Sequence, residues 1–193
     1  MNIIALHGKG SSPERIKWLT EPLSKFGSVI APHVDVEVED ALKIVGKYSF
    51  DLVAGHSRGG IVALLAAADY RVPVIAVSAP SDRLMQRRHL CSYPEGTFQW
   101  KQCMEQANLS ESYLRSTSPI YYADRISHAL LIHGKLDEIV PIEHSEMMCS
   151  RIRESGGKCK LVELMMKHAP PKSLEKELSL AIEEWIRNDF GEG

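Results

Sequence analysis

Short apolar runs alternate with longer segments of helical period along this chain. Runs at 3–6, 52–54, 72–79, 129–133 and 160–166 are nearly continuous in aliphatic residues, with a weaker candidate at 28–32. Near-continuous apolar strands separated by helices predict a mainly parallel sheet of about six strands covered on both faces. The segments 39–48, 59–70, 142–154 and 173–188 read as those helices. In the last of them Leu174, Leu178, Ala181, Ile182 and Trp185 recur at helical spacing, a stripe that faces a core, with Ser173 placed to cap it.

One interval breaks the rhythm. Residues 81–124 separate two strands by far more than a usual connection and carry Met85, Phe98, Trp100, Met104 and Tyr113 among polar residues. A connection of that length inside a compact domain is usually functional. It is expected to form a small, partly helical cap in which Phe98, Trp100 and Tyr113 wall a substrate pocket. No internal repeat or low-complexity tract interrupts the pattern, and 193 residues suit one core, so 1–193 reads as a single α/β domain with 81–124 as its insertion.

Composition adds mainly exclusions. Apolar content of 44%, charged content of 25% and a formal net charge of −2 give no electrostatic case for nucleic acid or an anionic membrane as partner. The apolar stretch after Met1 is too short for a signal-peptide core or a bilayer span, which predicts a cytoplasmic protein. Cys91, Cys103, Cys149 and Cys159 show neither CxxC spacing nor zinc-like pairing with histidine, so reduced structural thiols and no metal site are expected.

The chemistry concentrates in loops that follow strands. Gly55-His56-Ser57-Arg58-Gly59 comes after an apolar strand and opens the small-residue helix from Gly60. That context makes Ser57 the candidate nucleophile, lifted on a sharp strand-to-helix turn, with the Arg58 amide at a helix N-terminus. A serine hydroxyl needs a base, and the base needs a carboxylate to fix its tautomer. Both must come from loops at the strands' C-terminal ends. Of eight histidines, His168 alone lies between the last strand and the last helix, ahead of Pro170-Pro171. For the acid, Asp137 follows the strand at 129–133, and Asp82, after the strand ending at Ala79, is its rival. His7-Gly8-Lys9-Gly10 follows the first strand, and the Lys9 amide can converge with that of Arg58 as an oxyanion hole. A phosphate-cradling reading of the same loop lacks the GxxxxGK[ST] spacing.

The order Ser57, Asp137, His168, the His7-Gly8 loop, Ser118-Pro119 and the stretch from His133-Gly134 to Val140-Pro141 together resemble the α/β-hydrolase superfamily. The similarity is greatest to its small dienelactone-hydrolase-like and prolyl-oligopeptidase-like branch, and it spans nearly the whole chain. It implies an α/β-hydrolase fold with Ser57 as nucleophile, Asp137 as acid, His168 as base and the Lys9 and Arg58 amides as oxyanion hole. The chain starts at what would be the family's third strand, so the first two family strands are expected to be missing. Lys167 and Ala169 replace the glycine and aromatic that usually flank the family's base. Dienelactone hydrolases use cysteine where this chain has Ser57, so their substrate does not transfer.

The expected activity is hydrolysis of a small carboxylic ester or thioester through an acyl-enzyme, with no cofactor. The expected partner is a small acyl substrate, with a homo-oligomer left open. A prolyl-oligopeptidase-like peptidase and a non-catalytic binding protein on the same fold are the alternatives.

Overall fold

A computed structural model describes residues 1–190 of the chain. Six strands form one sheet in the order β2-β1-β3-β4-β5-β6: β1 Asn2–Leu6, β2 Ser28–Ile30, β3 Leu52–His56, β4 Val74–Val77, β5 His128–Gly134 and β6 Lys158–Leu164. Every neighbouring pair is parallel. The fold is that of the α/β hydrolases.

Strand residues divide between the two faces with period two, as a pleat requires. Ile4, Leu6, Val53, Val74, Ala76, Ala129 and Leu131 belong to one buried cluster. Ile3, Ala5, Leu52, Ala54, Ile75, Val77, Leu130 and Ile132 belong to the other. The first face is covered by α2 (Val38–Val45), α3 (Arg58–Tyr70) and α7 (Glu143–Glu154), the second by α1 (Lys17–Ser24) and α8 (Lys172–Phe190). In α3 the small residues Gly59, Gly60, Ala63, Ala66 and Ala67 are buried, so the helix can lie close against the sheet. The predicted stripe on α8 is largely buried, with Leu178, Ile182 and Trp185 at 0–3% exposure.

Ser173 is a correction: α8 begins at Lys172, so this serine lies inside the first turn and is not the cap. One helix went unread, because α1 carries Pro22 and follows a Gly-Ser-Ser-Pro run that signals loop.

The interval 81–124 is mostly helical. It holds α4 (Arg83–Cys91), α5 (Phe98–Glu105) and α6 (Glu111–Ser116), followed by a 3₁₀ segment at Pro119–Arg125. Each helix has its own side-chain cap. The Asp82 carboxylate accepts from the Leu84 and Met85 amides at 2.9 and 3.0 Å, and Thr97 and Ser110 cap the other two.

The cysteines overturn the expectation of reduced thiols. Cys91–Cys103 ties α4 to α5 and Cys149–Cys159 ties α7 to β6, with Cα atoms 5.1 and 5.4 Å apart. Helix packing brings these pairs into disulfide range across 12 and 10 residues, which motif spacing does not reveal. Among the described residues, no helix is long and apolar enough to cross a membrane.

Candidate active site

In this strand order the chain runs outward from β1 to β2 on one side and to β3 on the other. The crevice at the C-terminal ends of β1 and β3 is therefore the topological switch point, where open α/β sheets bind ligands. Ser57 sits there, immediately after β3, at φ 55° and ψ −122°. That is a strained backbone for a side-chain-bearing residue. The surrounding glycines make room for it. A Cβ at Gly55 would strike the Gly59 carbonyl, and one at Gly59 would strike the Leu6 and His7 carbonyls. The Ser57 amide donates to the Val77 carbonyl at 2.9 Å, which pins the turn to the next strand.

Three predicted side chains meet at this turn. His168 Nε2 lies 2.9 Å from Ser57 Oγ, and His168 Nδ1 lies 2.8 Å from Asp137 Oδ2. Asp137, not Asp82, is thus the carboxylate on His168. Its other oxygen accepts from the Ile139 and Val140 amides at 2.9 and 3.0 Å, and its side chain is fully buried. Burial pushes the Asp137 carboxyl up, yet hydrogen bonds from His133 and His168 outweigh it. The group is held well below the usual carboxylate range.

Two further histidines support this group, and neither stood out in the sequence. His133, buried at the end of β5, donates from Nε2 to the Val140 carbonyl at 2.9 Å, with that nitrogen 3.5 Å from Asp137 Oδ2. A carbonyl can only accept, so the Val140 contact puts the proton on Nε2 and leaves Nδ1 to accept from the Ser145 hydroxyl at 2.6 Å. His56 donates from Nε2 to the His168 carbonyl at 2.8 Å and so holds the loop that carries His168. Desolvation, then the neighbouring His168, lowers the His56 pKa to about 4, leaving it a neutral ring at pH 7.

The loop after β1 is fixed by His7. Its Nδ1 donates to the Gly8 carbonyl at 2.8 Å, while its Nε2 accepts from the Val34 amide at 2.9 Å. In a trans peptide the N–H points opposite the carbonyl, so the Lys9 amide is directed away from His7. A Cβ at Gly8 would stand 3.2 Å from that of Ser57, which shows how closely this loop approaches the serine. Arg58 opens α3, so its amide has no intrahelical acceptor. The Arg58 guanidinium pairs with Asp35 at 2.6 Å, and the Lys9 ammonium pairs with Glu105.

A cleft of about 90 Å³ opens beside Ser57, walled by Ile61, Arg83, Gln86, Leu90 and Gln102 among others. Phe98, Trp100 and Tyr113, the predicted pocket wall, are not among its lining residues. The cause is the phase of the helices. Trp100 stands two residues before Gln102 on α5 and so points to a different side. Tyr113 reaches the cleft only through Arg83, whose guanidinium stands 5.3 Å from its ring. Phe98 lines a second depression beside His168.

A parallel doubly wound sheet with a serine on an elbow at the switch point defines an α/β-hydrolase serine hydrolase. Residues 51–192 match the prolyl oligopeptidase family, and the chain belongs to that family. Comparison with curated proteins finds no match. Solved structures with the same fold include the Butyrivibrio proteoclasticus protein Est1E, at 22% identity and TM-score 0.71, covering 99% of this chain and 88% of that one. A Paleococcus ferrophilus monoacylglycerol lipase follows at 18% identity and TM-score 0.67, with 97% and 94% covered. The Pyrococcus horikoshii acylaminoacyl peptidase has 16% identity and TM-score 0.68, with 96% of this chain matching 37% of that one.

Proposed function

We propose that this serine hydrolase cleaves small carboxylic esters through an acyl-enzyme formed on Ser57. The observation that carries the reading is the hydrogen-bonded line Ser57–His168–Asp137, at 2.9 and 2.8 Å, at the mouth of a small cleft. His168 takes the hydroxyl proton as Ser57 attacks the carbonyl carbon, and Asp137 holds the imidazole and stabilises its charged form. The Lys9 and Arg58 amides receive the oxyanion. Two such donors are worth on the order of 3 kcal/mol each. The proton then passes from His168 to the departing alkoxide, and water releases the acid by the same steps in reverse.

Cleft size argues for a short acyl group. About 90 Å³ is well below the ~150 Å³ cavity that takes up benzene, which leaves room for a few heavy atoms. Membership of the prolyl oligopeptidase family and the likeness to an acylaminoacyl peptidase favour a second reading, peptide-bond cleavage. Amide leaving groups demand compensating binding energy from an extended surface.

The test pairs a substrate panel with two variants. Short aryl esters should exceed matching peptide anilides in kcat/KM. Ser57→Ala should remove both turnover and fluorophosphonate labelling, and Asp137→Asn should lower kcat by roughly 10⁴. Faster cleavage of proline anilides would transfer the assignment to the peptidase reading, and labelling that survives Ser57→Ala would remove Ser57 as nucleophile.

A further inference from the structure

The depression beside His168 is separate from the Ser57 cleft, but Ile139 lines both. Its volume is about 130 Å³. Phe98, Leu136 and Ile139 supply apolar wall, while Lys167, Glu138 and Gln99 supply a polar rim. Phe98 and Leu136 are 57% and 48% exposed, large apolar surface that the fold leaves in water.

One hollow is thus lined by Ser57 and the other by His168, the two residues whose side chains meet at 2.9 Å. In acyl transfer the nucleophile bonds to the acyl carbon, and the imidazolium proton goes to the oxygen of the leaving alcohol. The acyl group must lie by the serine, and the alcohol must lie within reach of the histidine. We infer that the depression bounded by Phe98, Leu136 and His168 is the leaving-group subsite, and that it takes a planar apolar alcohol moiety such as a benzyl group. The inference rests on the esterase reading of the same site.

Size and chemistry agree with that occupant. A cavity of about 150 Å³ lined by apolar side chains takes up benzene, and this hollow is of similar size. An aromatic ring edge or face against Phe98 gains more than area alone, because ring pairs prefer offset or T-shaped contact. As the ester C–O bond breaks, the electron pair leaves on the alkoxide oxygen, which accepts the proton from His168 Nε2. The neutral benzylic alcohol then departs to the open side.

The test compares benzyl acetate with ethyl acetate, which share an acyl group and have alcohols of similar acidity. The native protein should favour the benzyl ester in kcat/KM by about tenfold, the factor from burying roughly 55 Å² of apolar surface. Phe98→Ala should bring that ratio near unity, and Leu136→Ala should lower it severalfold. Each ratio is taken within one variant, so a partly unfolded sample lowers both rates together and leaves the ratio intact. A ratio unmoved by both substitutions overturns the inference. Benzyl alcohol binding to Ser57→Ala protein, read by saturation-transfer NMR, provides a second measurement free of catalysis. Binding that vanishes in Ser57→Ala/Phe98→Ala supports the subsite even if no ester is turned over. Binding indifferent to Phe98 sinks it.

Discussion

Both oxygens of the Asp137 carboxylate are committed, one to the Ile139 and Val140 amides and one to His168 with His133 3.5 Å behind. In the proposed triad His133 is a positioning residue, since it approaches Asp137 and not Ser57. Replacing it with Met or Gln changes its volume similarly but keeps a donor only in Gln. His133→Met should lower kcat by roughly tenfold, the low end for losing a hydrogen bond near a charged group, and leave KM within about twofold. His133→Gln should recover most of that loss in steady-state assays, whereas equal losses would mean that packing alone matters. Ser57, Asp137 and His168 were legible because each follows a strand at the sheet edge where open α/β folds bind ligands. His133 and His56 were not, because their value lies in distances between loops that are far apart in sequence. Asp82, the rival to Asp137, proves to be an N-cap.

At the scale of elements, the strand faces could be read residue by residue, since a parallel strand buried on both sides leaves an unbroken apolar run. The rotational phase of α4 and α5 could not, because polar residues occupy both faces of these short helices. Gln86 and Gln102 line the cleft while Trp100 does not. Cys91 and Cys103 directly follow Leu90 and Gln102, two of the residues that wall the cleft, so this disulfide fixes the distance between its sides. A Cys91→Ser/Cys103→Ser variant should raise KM for short-chain esters severalfold while far-UV circular dichroism stays unchanged. A dithiol reductant should reproduce the effect in the native protein. An unaltered KM in the double variant would show that helix packing alone sets the cleft.

For the molecule as a whole, two histidines kept neutral by the fold weigh against stability in acid. His144 is fully buried, with Nδ1 accepting from the Ser81 amide at 3.2 Å. Desolvation, then nearby His133, lowers its pKa to about 4, and His56 is lowered to the same value. The unfolded chain protonates such groups near pH 6.5. Between those values the unfolded state therefore holds more protons, and stability must fall as pH falls, by up to about 1.4 kcal/mol per pH unit for each histidine. The depressed Asp137 carboxyl continues the loss at lower pH, below its unfolded value of about 3.9. Urea unfolding at pH 7, 6 and 5 should show a declining midpoint, with a shallower decline in His144→Gln. A midpoint flat across this range would mean that neither ring is kept neutral by the fold.

The sheet's wholly parallel order scatters the site along the chain. Lys9, Ser57, Asp137 and His168 stand on loops after β1, β3, β5 and β6, and β6 is the edge strand, paired with β5. A polypeptide still emerging from the ribosome thus displays the serine elbow more than a hundred residues before the proposed base is synthesised. In the proposed triad, the Ser57 hydroxyl has no base beside it until the loop after β6 brings His168 within 2.9 Å.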